Sequence, residues 1–165
     1  QKLLESMQVN VLRGNISEIR FIAGLEATTK GVDASDSDET SSEDAVAIAK
    51  SLAQRLNGVV AITGKQDVVS DGEKTVLIDN GHPMLSSLTG TGCMGSSLIG
   101  SYCGAHPDRL LEATVAAILT MGIAGEIAYA RAGEKGNGSF RVALHDAVSQ
   151  MDAITLAEGA KCHEA

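Results

Sequence analysis

The sequence predicts an α/β fold whose second half is helical. Short apolar runs alternate with segments of helical periodicity through the first half of the 165 residues, and no strand pattern follows residue 91. The run Val59-Val60-Ala61-Ile62 is continuously apolar, as in a strand that a parallel sheet buries on both faces. Strands that alternate with helices and then give way to helices alone are typical of α/β architecture with a helical C-terminal block.

The first strand and the first helix are predicted near the N-terminal end. Val9-Asn10-Val11-Leu12 is a short apolar run that ends at Arg13-Gly14-Asn15. Ile16, Ile19 and Ile22 then recur at helical spacing. We therefore expect a strand, a turn and a helix in this order.

A second helix is predicted to follow the acidic stretch at residues 33–44, which we interpret as a solvated loop without an assigned role. Capping-box spacing occurs there twice, in Thr40 with Glu43 and in Ser41 with Asp44. Apolar residues then share one face, which predicts a helix of about fifteen residues that ends at Gly58.

A hairpin and three helices complete the predicted order. Val68-Val69 and residues 75–78 flank the turn-forming pair Asp71-Gly72, which is typical of a hairpin. The helices are expected at about residues 91–103, 107–131 and 137–158, and Asn137 or Ser139 can cap the last of them.

Composition argues against several classes of partner. The formal net charge of -8 and the pI near 4.9 argue against binding to nucleic acid or to anionic lipid, and favour a small soluble ligand. The apolar run at residues 114–130 is rich in alanine and contains Glu126, so we interpret it as a helix buried in protein rather than a membrane span.

The three cysteines form no Cys-x-x-Cys pair, which argues against a zinc site or a disulfide framework and fits a reduced, cytoplasmic setting. The first residues contain neither an initiator Met nor a signal-peptide pattern, so we expect a chain that begins within a longer protein.

The stretch Thr89-Gly90-Thr91-Gly92-Cys93 precedes a predicted helix and is the first candidate site. Its glycines allow a tight turn that brings several N–H groups toward one point, and the dipole of the helix behind them favours a phosphate. A glycine-rich loop that only starts a helix explains the same composition, and composition alone does not decide between the two.

Gly90-x-Gly92-x-x-Gly95 also matches the dinucleotide-binding pattern. That pattern requires a strand directly before it, a second strand after the helix, and an acidic residue about twenty positions further on. Here a loop separates the last predicted strand from the glycines, and only helices are predicted to follow. We therefore reject the dinucleotide interpretation.

A second group of polar residues lies at the ends of the predicted strands. Arg13 ends the first strand, and Asn15 and Glu18 are three apart on the first helical turn. This pair is either an ordinary capping box or a polar site for hydrated Mg²⁺ or phosphate, and both use the same residues. Thr63-Gly64 lies at the carboxyl end of the next strand, where open α/β sheets bind ligands. Nearby in sequence are Lys65, Asp67 and His82, which we expect to be solvated loop residues.

Four motifs span nearly the whole chain: Val11-Leu12-Arg13-Gly14-Asn15-x-x-Glu18, Ala61-Ile62-Thr63-Gly64-Lys65-x-Asp67, Asn80-Gly81-His82 and Thr89-Gly90-Thr91-Gly92-Cys93. In their order and spacing they resemble the hydroxyethylthiazole kinase family of the ribokinase-like superfamily. The chain resembles the C-terminal three-fifths or so of such a protein. The resemblance implies a three-layer α/β/α fold with a largely parallel central sheet, a helical C-terminal block, and residues 1–165 as the C-terminal part of a single kinase domain without its N-terminal strands.

The resemblance also implies roles for individual residues. Arg13 and Thr63 would contact ATP, and Asn15 and Glu18 would organise the metal and the phosphates. Gly90 would lie against the thiazole, and the run from Gly90 through Thr91 and Gly92 to Cys93 would form an anion hole. Cys93 stands where most ribokinase-like kinases have an aspartate that accepts the proton of the alcohol, so we expect it to assist or to position, with slow turnover.

The activity implied is phosphorylation of the primary alcohol of 5-(2-hydroxyethyl)-4-methylthiazole by Mg²⁺-ATP, a salvage step toward thiamine. The family resemblance further implies a homotrimer with active sites between subunits, and a need for the N-terminal part that this chain does not contain. Two other functions stay open: another ribokinase-like kinase for a vitamin precursor or a sugar alcohol, and a non-catalytic relative that binds nucleotide. Cys93 and Asn80-Gly81-His82 favour the thiazole enzyme over the first, and the intact Arg13, Asn15 and Glu18 argue against the second.

Overall fold

The structure is a computed structural model that describes residue 4, residues 6–25 and residues 41–165. The strands are β1 (Val11–Gly14), β2 (Val59–Ile62), β3 (Asp67–Ser70), β4 (Thr75–Ile78) and β5 (Cys162–Glu164). The α-helices are α1 (Ile16–Ala23), α2 (Ser42–Leu56), α3 (Thr91–Ala105), α4 (Leu110–Ala132), α5 (Asn137–Ser149) and α6 (Ala153–Gly159). Two 3₁₀ segments lie at Pro83–Ser87 and Gly133–Lys135. The predicted α/β class is therefore confirmed.

In the described residues the sheet has five strands, in the order β1-β2-β3-β4-β5, and is mixed in direction. β1 and β2 run parallel, with Val11 opposite Val59 and Gly14 opposite Ile62. β3 runs antiparallel to β2. The expectation of a largely parallel sheet is wrong at this point because a parallel return needs a crossover of about a dozen residues, whereas only the short turn at residues 63–66 joins β2 to β3.

The chain divides into two compact units, Gln1–Leu77 with Glu164–Ala165 and Ile78–His163. In the first unit, apolar faces of α1 and α2 contribute Ile19, Ala49 and Leu52 to one core cluster, and the sheet contributes Val60 and Val68. Burial of these side chains is the main favourable contribution to the stability of this unit.

Local sequence signals predicted α2 and the hairpin of β3 and β4 correctly. The Ser41 side chain accepts the Asp44 N–H at 3.2 Å and caps a helix of 15 residues, which ends at Asn57 in a left-handed conformation (φ 49°), one residue before Gly58. Gly72 has a φ of +95° in the turn between β3 and β4, where glycine is favoured. The alternative cap Thr40 and the acidic residues 33–40 lie outside the described residues.

Packing in the second unit is centred on α4. Ala124 and Ala128 of this helix pack with Phe140 and Leu144 of α5 in one core cluster. In the described part of the chain, Leu110–Lys135 is the one helix long and apolar enough to cross a membrane by length and composition, and 61% of its most apolar window is buried. The interpretation as a helix buried in protein is therefore supported by its packing.

The helix predicted at residues 137–158 is broken in the structure. α5 ends at Ser149, and α6 begins after Asp152, whose carboxylate accepts the Thr155 N–H at 2.8 Å. The prediction is wrong because this side-chain bond satisfies a helix start locally, although the apolar spacing continues across the break.

Two further expectations for the C-terminal block are wrong. α5 has Gly136 as its N-cap without a side-chain cap, because the Asn137 side chain bonds to Ser87 instead. A short strand, β5, also follows α6 although no strand was expected after residue 91. Backbone bonds flank β5 on both sides, from the Ala165 N–H to the Thr75 carbonyl at 3.0 Å and from the Asp79 N–H to the Lys161 carbonyl at 2.8 Å.

Candidate active site

The junction of β1 and α1 is a reciprocal capping box. The Asn15 amide oxygen accepts the Glu18 N–H at 2.8 Å, and the Glu18 carboxylate accepts the Asn15 N–H at 2.8 Å. Gly14 leaves room beside it, since a Cβ at that position would lie 3.0 Å from Glu18 Oε2, which is a tight contact. The capping interpretation is therefore confirmed, while a metal-organising role for the same pair stays a prediction.

The ends of β1 and β2 are joined directly. The Thr63 N–H donates to the Gly14 carbonyl at 2.9 Å, and the Thr63 hydroxyl lies 3.5 Å from the same oxygen. Arg13 is paired in register with Ala61, so Arg13 and Thr63 belong to neighbouring positions at the carboxyl ends of two parallel strands. This edge of an open α/β sheet is where ligands bind.

Asp67 closes the turn that follows β2. Its carboxylate accepts the Gly64 N–H at 2.8 Å, and the side chain is half-buried. Burial raises the pKa of Asp67 to about 6, although the Gly64 hydrogen bond and the positive charge of Arg13 act in the opposite direction. The expectation of a solvated Asp67 is wrong because the turn folds it back onto Gly64, whereas Lys65 is exposed as expected.

The raised pKa of Asp67 predicts a pH-dependent stability. The folded state holds this proton up to about pH 6, and the unfolded state holds it only to about the ordinary aspartate pKa of 3.8. The free energy of unfolding therefore falls as pH rises through this window, by about 3 kcal/mol for a shift of roughly two units. Asp67→Asn keeps an oxygen for the Gly64 N–H and should remove this fall, leaving the variant more stable than the parent at pH 8.

Urea unfolding of the intact protein at pH 4, 5, 6 and 8 measures this effect. The exposed Asp108 offers a matched control, and Asp108→Asn should retain the parent's slope. An identical slope in Asp67→Asn and in the parent would contradict the assignment of this titration to Asp67.

The predicted glycine-rich helix start is present in the second unit. α3 begins at Thr91 after Gly90, which has a φ of +100° and provides no side-chain cap. The first helical bond joins the Met94 N–H to the Gly90 carbonyl at 3.0 Å, so the N–H groups of Thr91, Gly92 and Cys93 precede the ladder of helical bonds. Cys93 is exposed on this first turn. N–H groups without a partner inside the helix, at the positive end of its dipole, suit an anion.

Neighbouring residues hold the path of this helix start. The Thr91 hydroxyl lies 3.2 Å from the carbonyl oxygens of Leu85 and Leu88 and donates to them in a shared bond. The Arg141 guanidinium donates to the Thr89 carbonyl at 2.5 Å. The carbonyls of Leu85, Leu88 and Thr89, which precede Gly90, are thus held by the side chains of Thr91 and Arg141.

Asn80, Gly81 and His82 are also ordered by side chains of the second unit. Asn80 is 5% exposed, and its amide donates to Glu126 Oε1 at 3.0 Å and to the Gly159 carbonyl at 2.9 Å. His82 stacks on Tyr129 with ring centroids 3.6 Å apart. The expectation of a solvated His82 is wrong because this stacking covers one face of the ring.

The candidate residues therefore form two groups. Arg13, Asn15, Glu18 and Thr63 lie in the first unit, and the run from Gly90 to Cys93 lies in the second. Within residues 6–25 and 41–165, no group of three or more His, Cys, Asp or Glu side chains could hold a metal ion. Sequence reasoning missed Asp67 and Glu126 as ordered polar groups, although a lone acid in an apolar helix was a visible signal for Glu126.

Together these features define a class of protein: an α/β fold with polar groups at the carboxyl ends of parallel strands and an anion-type helix start. The model of the hydroxyethylthiazole kinase family matches residues 1–153. A hydroxyethylthiazole kinase of Ruminiclostridium cellulolyticum is 52% identical over 162 residues, which is 98% of this chain and 59% of that protein. One from Clostridium beijerinckii is 49% identical over 165 residues, covering 99% of this chain and 59% of that protein.

A solved structure agrees with these sequence matches. The hydroxyethylthiazole kinase of Pyrococcus horikoshii OT3 superposes with a TM-score of 0.80 at 36% identity, over 95% of this chain and 55% of that one. The chain belongs to the hydroxyethylthiazole kinase family. It spans about 59% of the length of the curated relatives named above.

Proposed function

We propose that the intact protein transfers the γ-phosphoryl group of Mg²⁺-ATP to the primary hydroxyl of 5-(2-hydroxyethyl)-4-methylthiazole, in thiamine salvage. The observation that carries the proposal is the anion-type helix start at Gly90–Cys93 in a chain that is 52% identical, over 98% of its length, to a hydroxyethylthiazole kinase. A helix start of this kind supplies preorganised donors for a phosphoryl group.

The roles proposed for the residues follow from their chemistry. Arg13 and Thr63 contact ATP, with the guanidinium neutralising phosphate charge and the hydroxyl donating a hydrogen bond. The N–H groups from Gly90 through Thr91 and Gly92 to Cys93 form the anion hole for the moving phosphoryl, and Gly90 lies against the thiazole. Phosphoryl transfer needs positioning and charge neutralisation more than covalent chemistry from the protein, and these groups supply both.

Asn15 and Glu18 fit a magnesium ion that keeps most of its water ligands better than an ion whose ligands all come from protein side chains. Glu18 uses Oε2 in the capping box, which leaves Oε1 available on an exposed side chain next to Asn15. Mg²⁺ commonly keeps several waters and binds through one or two carboxylates together with substrate phosphates. Asn15 and Glu18 would hold the ion through such contacts, and the ion would supply positive charge beside the phosphates.

Cys93 is proposed to assist or position the alcohol rather than to act as a strong base. Aspartate stands at the matching position of most ribokinase-like kinases, so Cys93→Asp should retain or raise kcat, and Cys93→Ala should lower it. Initial rates of ADP release at saturating ATP and alcohol measure both variants. Loss of activity in Cys93→Asp, with an unchanged melting temperature, would contradict the placement of Cys93 at the base position.

The same proposal includes the ribokinase-like three-layer fold for the full domain, and a cytoplasmic homotrimer with active sites between subunits. Membership of the family supports the three-layer fold, the family resemblance implies the trimer, and the lack of Cys-x-x-Cys pairs in the sequence fits a reduced compartment. Sedimentation equilibrium of the intact protein tests the trimer, and a monomeric mass at micromolar concentration would contradict it.

ADP release with a panel of alcohols tests the proposed substrate. The intact protein should release ADP with hydroxyethylthiazole and Mg²⁺-ATP, and only slowly with sugar alcohols or hydroxymethylpyrimidine. Release with another alcohol but not with the thiazole would favour a different ribokinase-like kinase. Nucleotide binding without release for any alcohol would favour a non-catalytic relative.

A further inference from the structure

One face of α4 seats the segment that leads from β4 toward the anion-type helix start. Gly122, Gly125, Glu126 and Tyr129 share this face, since they are spaced by three and four residues along the helix. A Cβ at Gly122 would lie 2.8 Å from Asn80, and one at Gly125 would lie 2.7 Å from Leu85. The two glycines therefore let the backbone and side chains of residues 80–85 approach the helix closely.

Glu126 is the polar member of this face and binds three groups at once. Its Oε1 accepts the Gly81 N–H at 2.9 Å and the Asn80 amide at 3.0 Å. Its Oε2 accepts from Lys161 Nζ at 2.8 Å, and the side chain of Glu126 is 27% exposed. Burial alone would raise the pKa of Glu126, but the hydrogen bonds from Lys161, Gly81 and Asn80 outweigh it and hold the pKa below its usual value. Glu126 is thus held as a carboxylate.

The buried Asn80 has its polar side-chain atoms satisfied only while this arrangement is intact. Its oxygen accepts the Lys161 N–H at 2.7 Å, and its nitrogen donates to Glu126 and Gly159. Loss of the Glu126 acceptor would leave donors of Asn80 and Gly81 without their partner in a partly buried place, which is costly. The backbone at residues 80–81 therefore depends on Glu126 for its position.

A continuous series of contacts joins Gly81 to the start of α3. The next residue, His82, accepts the Met84 N–H through Nδ1 at 3.1 Å, and its carbonyl accepts the Leu85 N–H at 2.9 Å, which starts the 3₁₀ segment. The carbonyls of Leu85 and Leu88 in turn accept the Thr91 hydroxyl. A shift of Gly81 would pass through this short segment to the first turn of α3.

We propose that Glu126 is a positioning residue for phosphoryl transfer, which holds Gly81 and Asn80 and thereby sets the path of the chain into Gly90–Cys93. The inference rests on the proposed function, because it needs the anion hole to act on a phosphoryl group. Glu126 acts through the backbone of residues 80–91 rather than on the reacting atoms. Catalytic geometry tolerates little displacement, and a shift of about 1 Å can cost on the order of 100-fold in rate.

Two substitutions at Glu126 separate positioning from folding. Glu126→Gln keeps one oxygen for Gly81, and Glu126→Leu removes both acceptors, so kcat should fall about tenfold in the first and on the order of 100-fold in the second. The KM for ATP should change less than about threefold in both, because the proposed ATP contacts at Arg13 and Thr63 are not altered and only the donors proposed for the moving phosphoryl group are displaced. Rates are measured with the intact protein well below the melting temperature of each variant.

Glu112→Gln is the matched control on the same helix. Glu112 is exposed and pairs with Arg109 across one turn at 3.6 Å. Because exposed pairs contribute little, the kcat of Glu112→Gln should equal that of the parent. Hydrogen exchange gives a readout that does not need activity, and amides of residues 80–92 should exchange faster in Glu126→Leu than in the parent or the control.

The outcomes distinguish the two levels of the proposal. Unchanged kcat in a folded Glu126→Leu, or unchanged exchange at residues 80–92, would overturn the role of Glu126. A parent protein that releases no ADP with any alcohol would overturn the proposed function, while the exchange measurement would still decide whether Glu126 holds this segment. A fall in kcat that follows only the folded fraction would assign Glu126 a structural role and overturn the positioning proposal.

Discussion

Replacing Arg13 by methionine should lower kcat/KM for ATP by on the order of 100-fold or more, comparable to removing one preorganised donor from an oxyanion site. Arg13 is partly buried at the carboxyl end of β1, and the neighbouring Gly14 carbonyl is bonded to Thr63. Methionine keeps an apolar stem at this position and removes the guanidinium that is proposed to neutralise phosphate charge. Initial rates over a range of ATP concentrations measure the loss.

Two further substitutions show whether the loss comes from the guanidinium at this position. Arg13→Lys retains the positive charge but lacks the planar guanidinium with its paired donors. Its kcat/KM for ATP should therefore lie between those of the parent and of Arg13→Met. Arg109→Met removes an exposed arginine of the second unit and should leave kcat/KM within about twofold, since exposed pairs contribute little. An equal kcat/KM for ATP in Arg13→Met and in the parent would contradict the proposed contact between Arg13 and ATP.

Phe140→Ala should cause the largest loss of stability, about 3 to 5 kcal/mol in the free energy of unfolding. Phe140 is 0% exposed and lies in the core cluster with Ala124, Ala128 and Leu144. Its removal leaves a cavity lined by small side chains, which cannot close over the lost volume. Urea unfolding at pH 7.5 and the melting temperature measure the change.

Val142→Ala is the control for this loss. Val142 is on the same helix but is 63% exposed, so its truncation should change the free energy of unfolding by less than about 0.5 kcal/mol. A loss in Phe140→Ala no greater than in Val142→Ala would show that the cluster around α4 and α5 does not stabilise the protein.

Elements with local signals were predictable from the sequence. The cap at Ser41 and the apolar face of α2 lie in one continuous segment of the chain, so neither depended on distant residues. The break before α6 was missed because Asp152 caps a new helix while the apolar spacing stays in phase through Met151 and Ile154. β5 was missed because its three residues are all exposed and show no alternation.

The features of the candidate site that short motifs encode were predictable from the sequence, whereas contacts between distant residues were not. The capping pair Asn15 and Glu18 and the helix start at Thr91 follow from short motifs, and both are present as structures. The contact of Glu126 with Gly81 joins residues 45 apart in sequence, and that separation carries no periodic pattern. Distant polar contacts of this kind depend on the packing of α4, which the sequence alone does not place.

The proposed activity is tested most directly by identifying the product with ³¹P nuclear magnetic resonance after incubating the intact protein with Mg²⁺-ATP and hydroxyethylthiazole. Phosphoryl transfer to the alcohol should give a new phosphate monoester signal, coupled to the methylene protons of the alcohol, that grows in step with ADP and is reduced in Arg13→Met. Growth of inorganic phosphate and ADP without the monoester, in equal amounts with and without the alcohol, would contradict phosphoryl transfer to this substrate.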